Sequence, residues 1–293
     1  MRRLGYAILL SLAVLLGGTA YMLSVAMRDP IVRRASFQLP GWPAGAAPVR
    51  VALLTDVHVA GPDMSPSRVA RIVGQVNRLR PDLVLFGGDF VSDKRVPTRR
   101  YAGMEALAPL AALRAPLGVV AVLGNHDHWR SETEIVRALQ HANVRILDNA
   151  AVTVGPLALG GVDDAFTGRA DVRRTTTAMR TLKGARVLLS HSPDVAPAVP
   201  PDVTLLLAGH THCGQIRLPL IGALSYMSDY GDRFACGLTR NGALRVVTSA
   251  GLGTSVLPLR LGAVPDLWLL ELRPQAPSRR AAIGDTNERA KTR

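Results

Sequence analysis

The chain has 293 residues, 48% of them hydrophobic and 19% charged, which is enough apolar material for one large α/β domain or two small ones and excludes a chain disordered over most of its length. Its net charge of +13 favours polyanionic neighbours such as phosphorylated substrates or anionic lipid. Arginine is spread evenly, as a GC-rich genome would give, and no nucleic-acid-binding motif accompanies it, so no nucleic-acid partner is expected. The two cysteines, Cys213 and Cys236, exclude a disulfide scaffold and a thiolate zinc domain. They either pair, in a domain outside the cytoplasm, or stand as two buried thiols.

Residues 4–27, "LGYAILLSLAVLLGGTAYMLSVAM", carry no charge and are long enough to cross a bilayer as a helix. The length points to a retained single-pass anchor, although "SVA" ending at Ala26 also offers small residues to a signal peptidase. Arg2 and Arg3 precede the run and Arg28, Arg33 and Arg34 follow it. The basic flanks therefore compete over orientation; a domain outside the cytoplasm is expected, with a cytoplasmic domain as the alternative.

Residues 28–48, with four prolines at 30, 40, 43 and 48, read as a linker ahead of a domain over 49–273, and 274–293 as a disordered tail. Within the domain, "VRVALLTDVHV" reads as a buried strand running into a loop. A helix follows from Ser65, as cap, to Leu79, then the strand "PDLVLFGGDF" and a helix from about Arg99 to Leu113. "GVVAVLGNHD" is a third strand and Ser131 to Ala142 a third helix. Short strands joined by Gly155-Pro156 and Gly160-Gly161 come next, with a helix near 171–182. "ARVLLSHSPD", "VTLLLAGHTH", "ALRVVTSAGLG" and "DLWLLEL" complete a strand-rich second half. Strand alternating with helix, then mostly strand, implies an α/β domain with a second sheet packed on the first.

Five polar clusters stand where the apolar strands end: Asp56-x-His58, Gly88-Asp89, Gly124-Asn125-His126-Asp127, Ser190-His191 and Gly209-His210-x-His212. Ligand sites in such sheets gather at the carboxyl ends of strands, where loops converge. Asp and His without thiolate suit manganese, zinc or iron. The one-residue spacing in D-x-H and H-x-H sets two side chains on the same side of an extended backbone, so both can reach one ion. Each cluster alone is a common accident of caps and turns; together, in this order, they point to a metal centre.

The set D-x-H, G-D, G-N-H-[DE], H and G-H-x-H resembles that of the calcineurin-like metallophosphoesterases over about residues 49–272. "GDFV", "LSHSPD", "GHTHCGQIRLPL" and "SAGLGTSVLPLRLGAVPDLWLLEL" are similar to a bacterial membrane-anchored branch. That branch includes a broad phosphodiesterase and enzymes cleaving UDP-diacylglucosamine. The resemblance implies a four-layer α-β-β-α sandwich of two mixed sheets and two divalent ions (manganese, zinc or iron). By position, Asp56, His58 and His212 would hold one ion and Asn125, His191 and His210 the other, with Asp89 bridging. A hydroxide between the ions would attack the phosphorus, with His126 at the leaving oxygen and Asp127 orienting it.

The resemblance also implies glycine where Cys213 stands, and leaves open whether that thiol pairs with Cys236. His128 and Trp129, extending the asparagine motif, are candidates for the substrate cleft, as are Arg217 and Arg233. The expected activity is a phosphodiesterase at the bacterial inner membrane, acting on a lipid- or nucleotide-linked phosphodiester or pyrophosphate such as UDP-2,3-diacylglucosamine. A broad phosphodiesterase outside the cytoplasm and a metal-binding scaffold without turnover are the alternatives.

Overall fold

Three consecutive strands show how this sequence builds two cores at once. In β2 (Val49–Leu54), β3 (Leu83–Gly87) and β4 (Val119–Val122), nearly every residue is apolar, and successive side chains go to opposite faces. Val51, Leu53, Leu83, Leu85, Val120 and Val122 pack inward between two sheets. Ala52, Leu54, Val84, Phe86 and Ala121 pack outward against helices. These strands belong to a six-stranded sheet whose other members are β1 (Ile31–Leu39), β5 (Val144–Ile146) and β14 (Asp266–Pro274). Its order is β1-β14-β2-β3-β4-β5, parallel from β2 to β5, with β14 antiparallel to β2 and β1 parallel to β14. The computed structural model describes residues 2–92 and 94–275.

The second sheet contains β6 (Ala150–Val154), β7 (Leu157–Val162), β8 (Ala185–Ser190), β9 (Leu205–Ala208), β12 (Gly237–Asn241) and β13 (Leu244–Thr248). Its order is β12-β13-β9-β8-β7-β6, parallel through the middle and antiparallel at both edges. Val187, Leu189, Leu205 and Leu207 face the first sheet, while Leu188 and Leu206 face an outer core with Met179 and Val195. Helices α2 (Pro66–Leu79), α3 (Gly103–Leu107) and α4 (Asn125–His141) cover the first sheet, and α5 (Val172–Arg180) the second. This is the expected four-layer α/β sandwich of two mixed sheets. A short ribbon, β10 (Arg217–Leu218) and β11 (Gly222–Ala223), stands apart from both sheets.

The expected linker over 28–48 is corrected. β1 lies within it and pairs with β14 from Ile31↔Asp266 to Leu39↔Pro274, burying Phe37 and Leu39. The prolines that suggested a linker flank this strand at 30 and 40 and leave its ladder intact. The helix expected over Arg99–Leu113 shrinks to α3 and a 3-10 turn over Ala108–Ala112. The expected Ser131–Ala142 helix starts earlier, because the asparagine motif heads it: α4 begins at Asn125 and breaks at Ser131, where φ is 179° and ψ is 96°. From residue 276 onward the expected disordered tail falls outside the described residues.

The N-terminal helix α1 (Arg2–Ala26) is long and apolar enough to cross a membrane. Most of it stands clear of the domain, but Val25 and Ala26 are buried. Its end is tied down where the Met22 carbonyl accepts the Arg260 backbone N–H at 3.1 Å.

Candidate metal centre

β2, β3 and β4 of one sheet and β8 and β9 of the other end at one place, so their following loops meet. Those loops carry Asp56, His58, Asp89, Asn125, His191, His210 and His212, all buried. Among them Asp56, His58, Asp89, His210 and His212 have φ between 49° and 68°, a left-handed backbone that non-glycine residues adopt only when the surroundings hold them there. Gly88, with φ of 85°, is obligatory for a further reason. A Cβ there would lie 2.6 Å from the Gly124 nitrogen and 2.9 Å from His191 Nδ1.

The polar atoms converge in two groups that share one carboxylate. His58 Nε2 lies 3.1 Å from His212 Nε2, which is 3.5 Å from Asp56 Oδ1. His191 Nε2 lies 3.1 Å from both Asn125 Oδ1 and His210 Nδ1. Asp89 Oδ2 stands between the groups, 3.4 Å from His58 Nε2 and 3.2 Å from His191 Nε2. Asp56, His58 and His212, and likewise Asp89, His191 and His210, could each hold a metal ion. The ring orientations are set from behind: His191 Nδ1 donates to the Gly87 carbonyl at 2.6 Å, and His210 Nε2 to that of Met227 at 3.0 Å.

Burial dominates the electrostatics. It pushes His58 and His212 well below the usual histidine range and His210 to about 4, so all three favour the neutral form. Burial also opposes a charge on His191, but the Asp89 and Asp56 carboxylates outweigh it and raise that pKa strongly. Asp89 is the converse: burial pushes it up, and the attraction of His191 and His126 carries it well below the usual carboxylate range.

His126 sits at the rim of this cluster, Nε2 3.4 Å from Ser255 Oγ and 4.0 Å from Asp89 Oδ2. Its ring meets Trp129 edge-on at 5.1 Å. Trp129 also contacts Phe166, which packs on His210 at 4.8 Å. Phe166, Ser192, Asp194 and Met227 line an adjoining cleft of about 500 Å³. Sequence reading picked out Trp129 but missed Phe166, which lies in a loop without any motif.

Asp127 differs from expectation. Its carboxylate accepts backbone N–H groups of Asp89 (2.8 Å), Phe90 (2.8 Å) and Gly124 (3.0 Å). It therefore clamps the Asp89 loop to the asparagine loop, and burial, reinforced by the Asp89 charge, raises its pKa to about 7. His128 is likewise taken up: Nδ1 meets Glu132 at 2.9 Å and Nε2 meets Asp163 at 2.8 Å, beside a separate cavity of about 650 Å³. Arg233 stacks on Phe234 and donates to Asn241, and Arg217 donates to the Cys213 carbonyl. The three expected substrate contacts are thus all engaged with the protein itself.

Two cations were not foreseen. Lys94, fully buried, pairs with Asp63 at 3.0 Å and donates to the His58 carbonyl at 3.1 Å. Arg260, also fully buried, donates to the carbonyls of Ala250 and Gly253 and lies 3.3 Å from His212 Nδ1. The resemblance assigned neither a role, although Arg260 lies within the segment "SAGLGTSVLPLRLGAVPDLWLLEL". Cys213, next to His212, is disulfide-bonded to Cys236.

The calcineurin-like phosphoesterase family profile matches residues 49–214. A Caenorhabditis elegans protein named as a metallophosphoesterase, F40B5.2, is 36% identical over 64% of this chain and 41% of its own length. Phosphodiesterase YaeI of Escherichia coli is 30% identical over 78% of this chain and 83% of its own. A Danio rerio "transmembrane protein with metallophosphoesterase domain" is 29% identical, over 86% and 60%. The chain thus spans less than two thirds of the nematode and zebrafish relatives. With the profile covering more than half of the chain, the protein belongs to the calcineurin-like metallophosphoesterases, a family of hydrolases that depend on a dinuclear metal centre.

Proposed function

We propose that the chain hydrolyses a phosphodiester or pyrophosphate at this cluster, with Asp56, His58 and His212 holding one divalent ion and Asn125, His191 and His210 a second. The observation that carries the reading is the position of Asp89 Oδ2 between His58 Nε2 (3.4 Å) and His191 Nε2 (3.2 Å). Donor atoms that share one ion would stand about 3 Å apart or slightly more, and the separations of 3.1–3.5 Å found in the two groups are close to that. Imidazole nitrogen and carboxylate or amide oxygen suit manganese, zinc or iron. The rise in the His191 pKa has the same meaning: the Asp89 and Asp56 charges favour a positive charge at that nitrogen, and a coordinated cation satisfies the same demand.

When bound, two such ions polarise phosphoryl oxygens and make water a competent nucleophile near neutral pH. The chain's own residues do the rest. His126 at the rim is positioned to give a proton to the leaving oxygen, with Trp129 fixing its ring. Asp127 holds the two loops in register. Full-length protein in detergent, supplied with manganese and bis-p-nitrophenyl phosphate, should turn over. Asp89→Ala should lose at least about 100-fold of that rate, on the scale of losing a major electrostatic contributor. Unchanged turnover in that variant, or none in the parent, would favour a metal-binding scaffold.

The setting we propose is a membrane. α1 would serve as a retained anchor in the bacterial inner membrane: cutting after Ala26 would remove Val25 and Ala26 from the packed interior. The Cys213–Cys236 disulfide supports a domain in an oxidising compartment, outside the cytoplasm. A lipid-linked phosphodiester fits that setting. UDP-2,3-diacylglucosamine, made on the cytoplasmic face, requires the opposite orientation. A reporter fused at Arg293 and active only in the periplasm would support the outward reading and eliminate that substrate.

A further inference from the structure

The ribbon β10–β11 turns at Leu220 and Ile221, between Pro219 and Gly222, two central positions where a surface turn ordinarily takes Gly, Pro, Asn, Asp or Ser. Leu220 is 109% exposed and Ile221 74%, with Leu224, Val256 and Leu257 exposed as well. This apolar lip has a definite position. Leu224 N–H donates to the Ile216 carbonyl, and Ile216 bridges to Leu261 and Gly262. Gln215 Nε2 donates to the Leu257 carbonyl, and the neighbouring Arg260 N–H holds the Met22 carbonyl of α1. The lip is therefore built on the segment that grips the end of the apolar helix. Its other side is the metal centre: Gln215 Oε1 accepts from the N–H of Ser255, whose Oγ lies 3.4 Å from His126 Nε2.

We propose that the lip is a second membrane contact, seated in the headgroup–acyl boundary of the leaflet that α1 enters, so that the metal centre opens at the lipid surface. Two observations select a bilayer as the occupant. The lip continues from the segment that receives α1, which fixes both in one frame. Beside it, Tyr21 of α1 and the exposed Arg28 line a cleft of about 480 Å³ together with Arg33, which pairs with Asp266, and Arg217, which bonds the Cys213 carbonyl; an aromatic ring beside an exposed arginine suits anionic headgroups. An apolar turn next to such a cleft matches how interfacial segments bind: apolar groups enter the acyl boundary while cations stay with the phosphates. It follows, resting on the hydrolase reading above, that the substrate is a phosphoester carried by a lipid of that leaflet.

The test uses the full chain in vesicles of phosphatidylcholine with phosphatidylglycerol. The fluorescence added by Ile221→Trp, over the parent, should be quenched by brominated acyl chains and protected from aqueous acrylamide. Quenching by acrylamide alone would overturn the proposal. So would protection from both quenchers, which would mean that a second copy or another protein covers the lip. The variant Leu220→Asp/Ile221→Asp should keep the parent rate on bis-p-nitrophenyl phosphate in solution. It should lose roughly a hundredfold or more on a vesicle-embedded p-nitrophenyl ester of phosphatidic acid, the scale set by two apolar side chains that no longer bury. An equal loss on both substrates, or none on either, would overturn it. A parent inactive on both substrates would count against the hydrolase reading, and the quenching measurement would still decide the lip.

Discussion

At the residue scale, the centre is made of side chains that the backbone holds in an unfavourable conformation. Asp56, His58, Asp89, His210 and His212 all carry positive φ, at a cost of roughly 1–3 kcal/mol each. Something must over-determine them, and Asp127 is one such device: it gathers the N–H groups of Asp89, Phe90 and Gly124 onto a single carboxylate. Asp127→Ala strands three buried donors, so the protein should lose roughly 3 kcal/mol or more of stability in urea titration. Asp127→Asn, which keeps one oxygen acceptor, should lose less. His126→Ala should do the opposite, leaving the urea midpoint near the parent's while kcat falls by roughly 10²–10⁴, as for loss of a general acid. If Asp127→Ala proved as stable as the parent, the clamp would be refuted.

At the element scale, the buried strands were legible because both their faces are apolar and the polar clusters end them. β1 was not: its burial comes from pairing with β14, which is distant in sequence, and the flanking prolines resemble a linker. The start of α4 was not legible because a helix beginning at Asn125 opens with polar residues that are buried among the strand-end loops, Asn125 against His191 and Asp127 against the backbone of Asp89 and Phe90. His128 shows the same dependence, since it braces the start of α4 to Asp163, just after β7. Burial alone would lower the pKa of His128, but its hydrogen bonds and charge attraction to Asp163, with a further bond to Glu132, raise it above 6.5. A raised folded-state value means stability that is fully present below 6.5 and lost as pH rises through the folded value. The melting temperature of the parent, compared with that of His128→Gln, should therefore show an advantage at pH 6 that shrinks by pH 8. An identical pH profile in the variant would remove the brace from the account.

At the scale of the whole molecule, one segment joins the apolar helix α1, the disulfide and the candidate metal centre. Cys213 adjoins His212 and is bonded to Cys236, closing a sequence separation of 23 that contains the apolar lip and Met227, whose carbonyl orients His210. Cys236→Ala should cost about 3 kcal/mol by the loop-closure relation and weaken manganese binding measured by calorimetry. Unchanged affinity would show that the loop holds His210 without the cross-link. The sequence by itself determined the strand-end clusters, the two-sheet α/β class and the apolar N-terminal run. These depend on local periodicity, on residue chemistry and on spacings of one or two positions. Only the tertiary structure decided that Asp89 stands between the two groups, that Asp127 and His128 serve the loops, that β1 closes the first sheet and that Cys213 pairs. Each of those rests on residues apart in the chain, brought together by strand pairing within a sheet, as for β1 with β14 and for the Asp89 and Asp127 loops, or by the packing of one sheet on the other, as for His58 and His191 about Asp89.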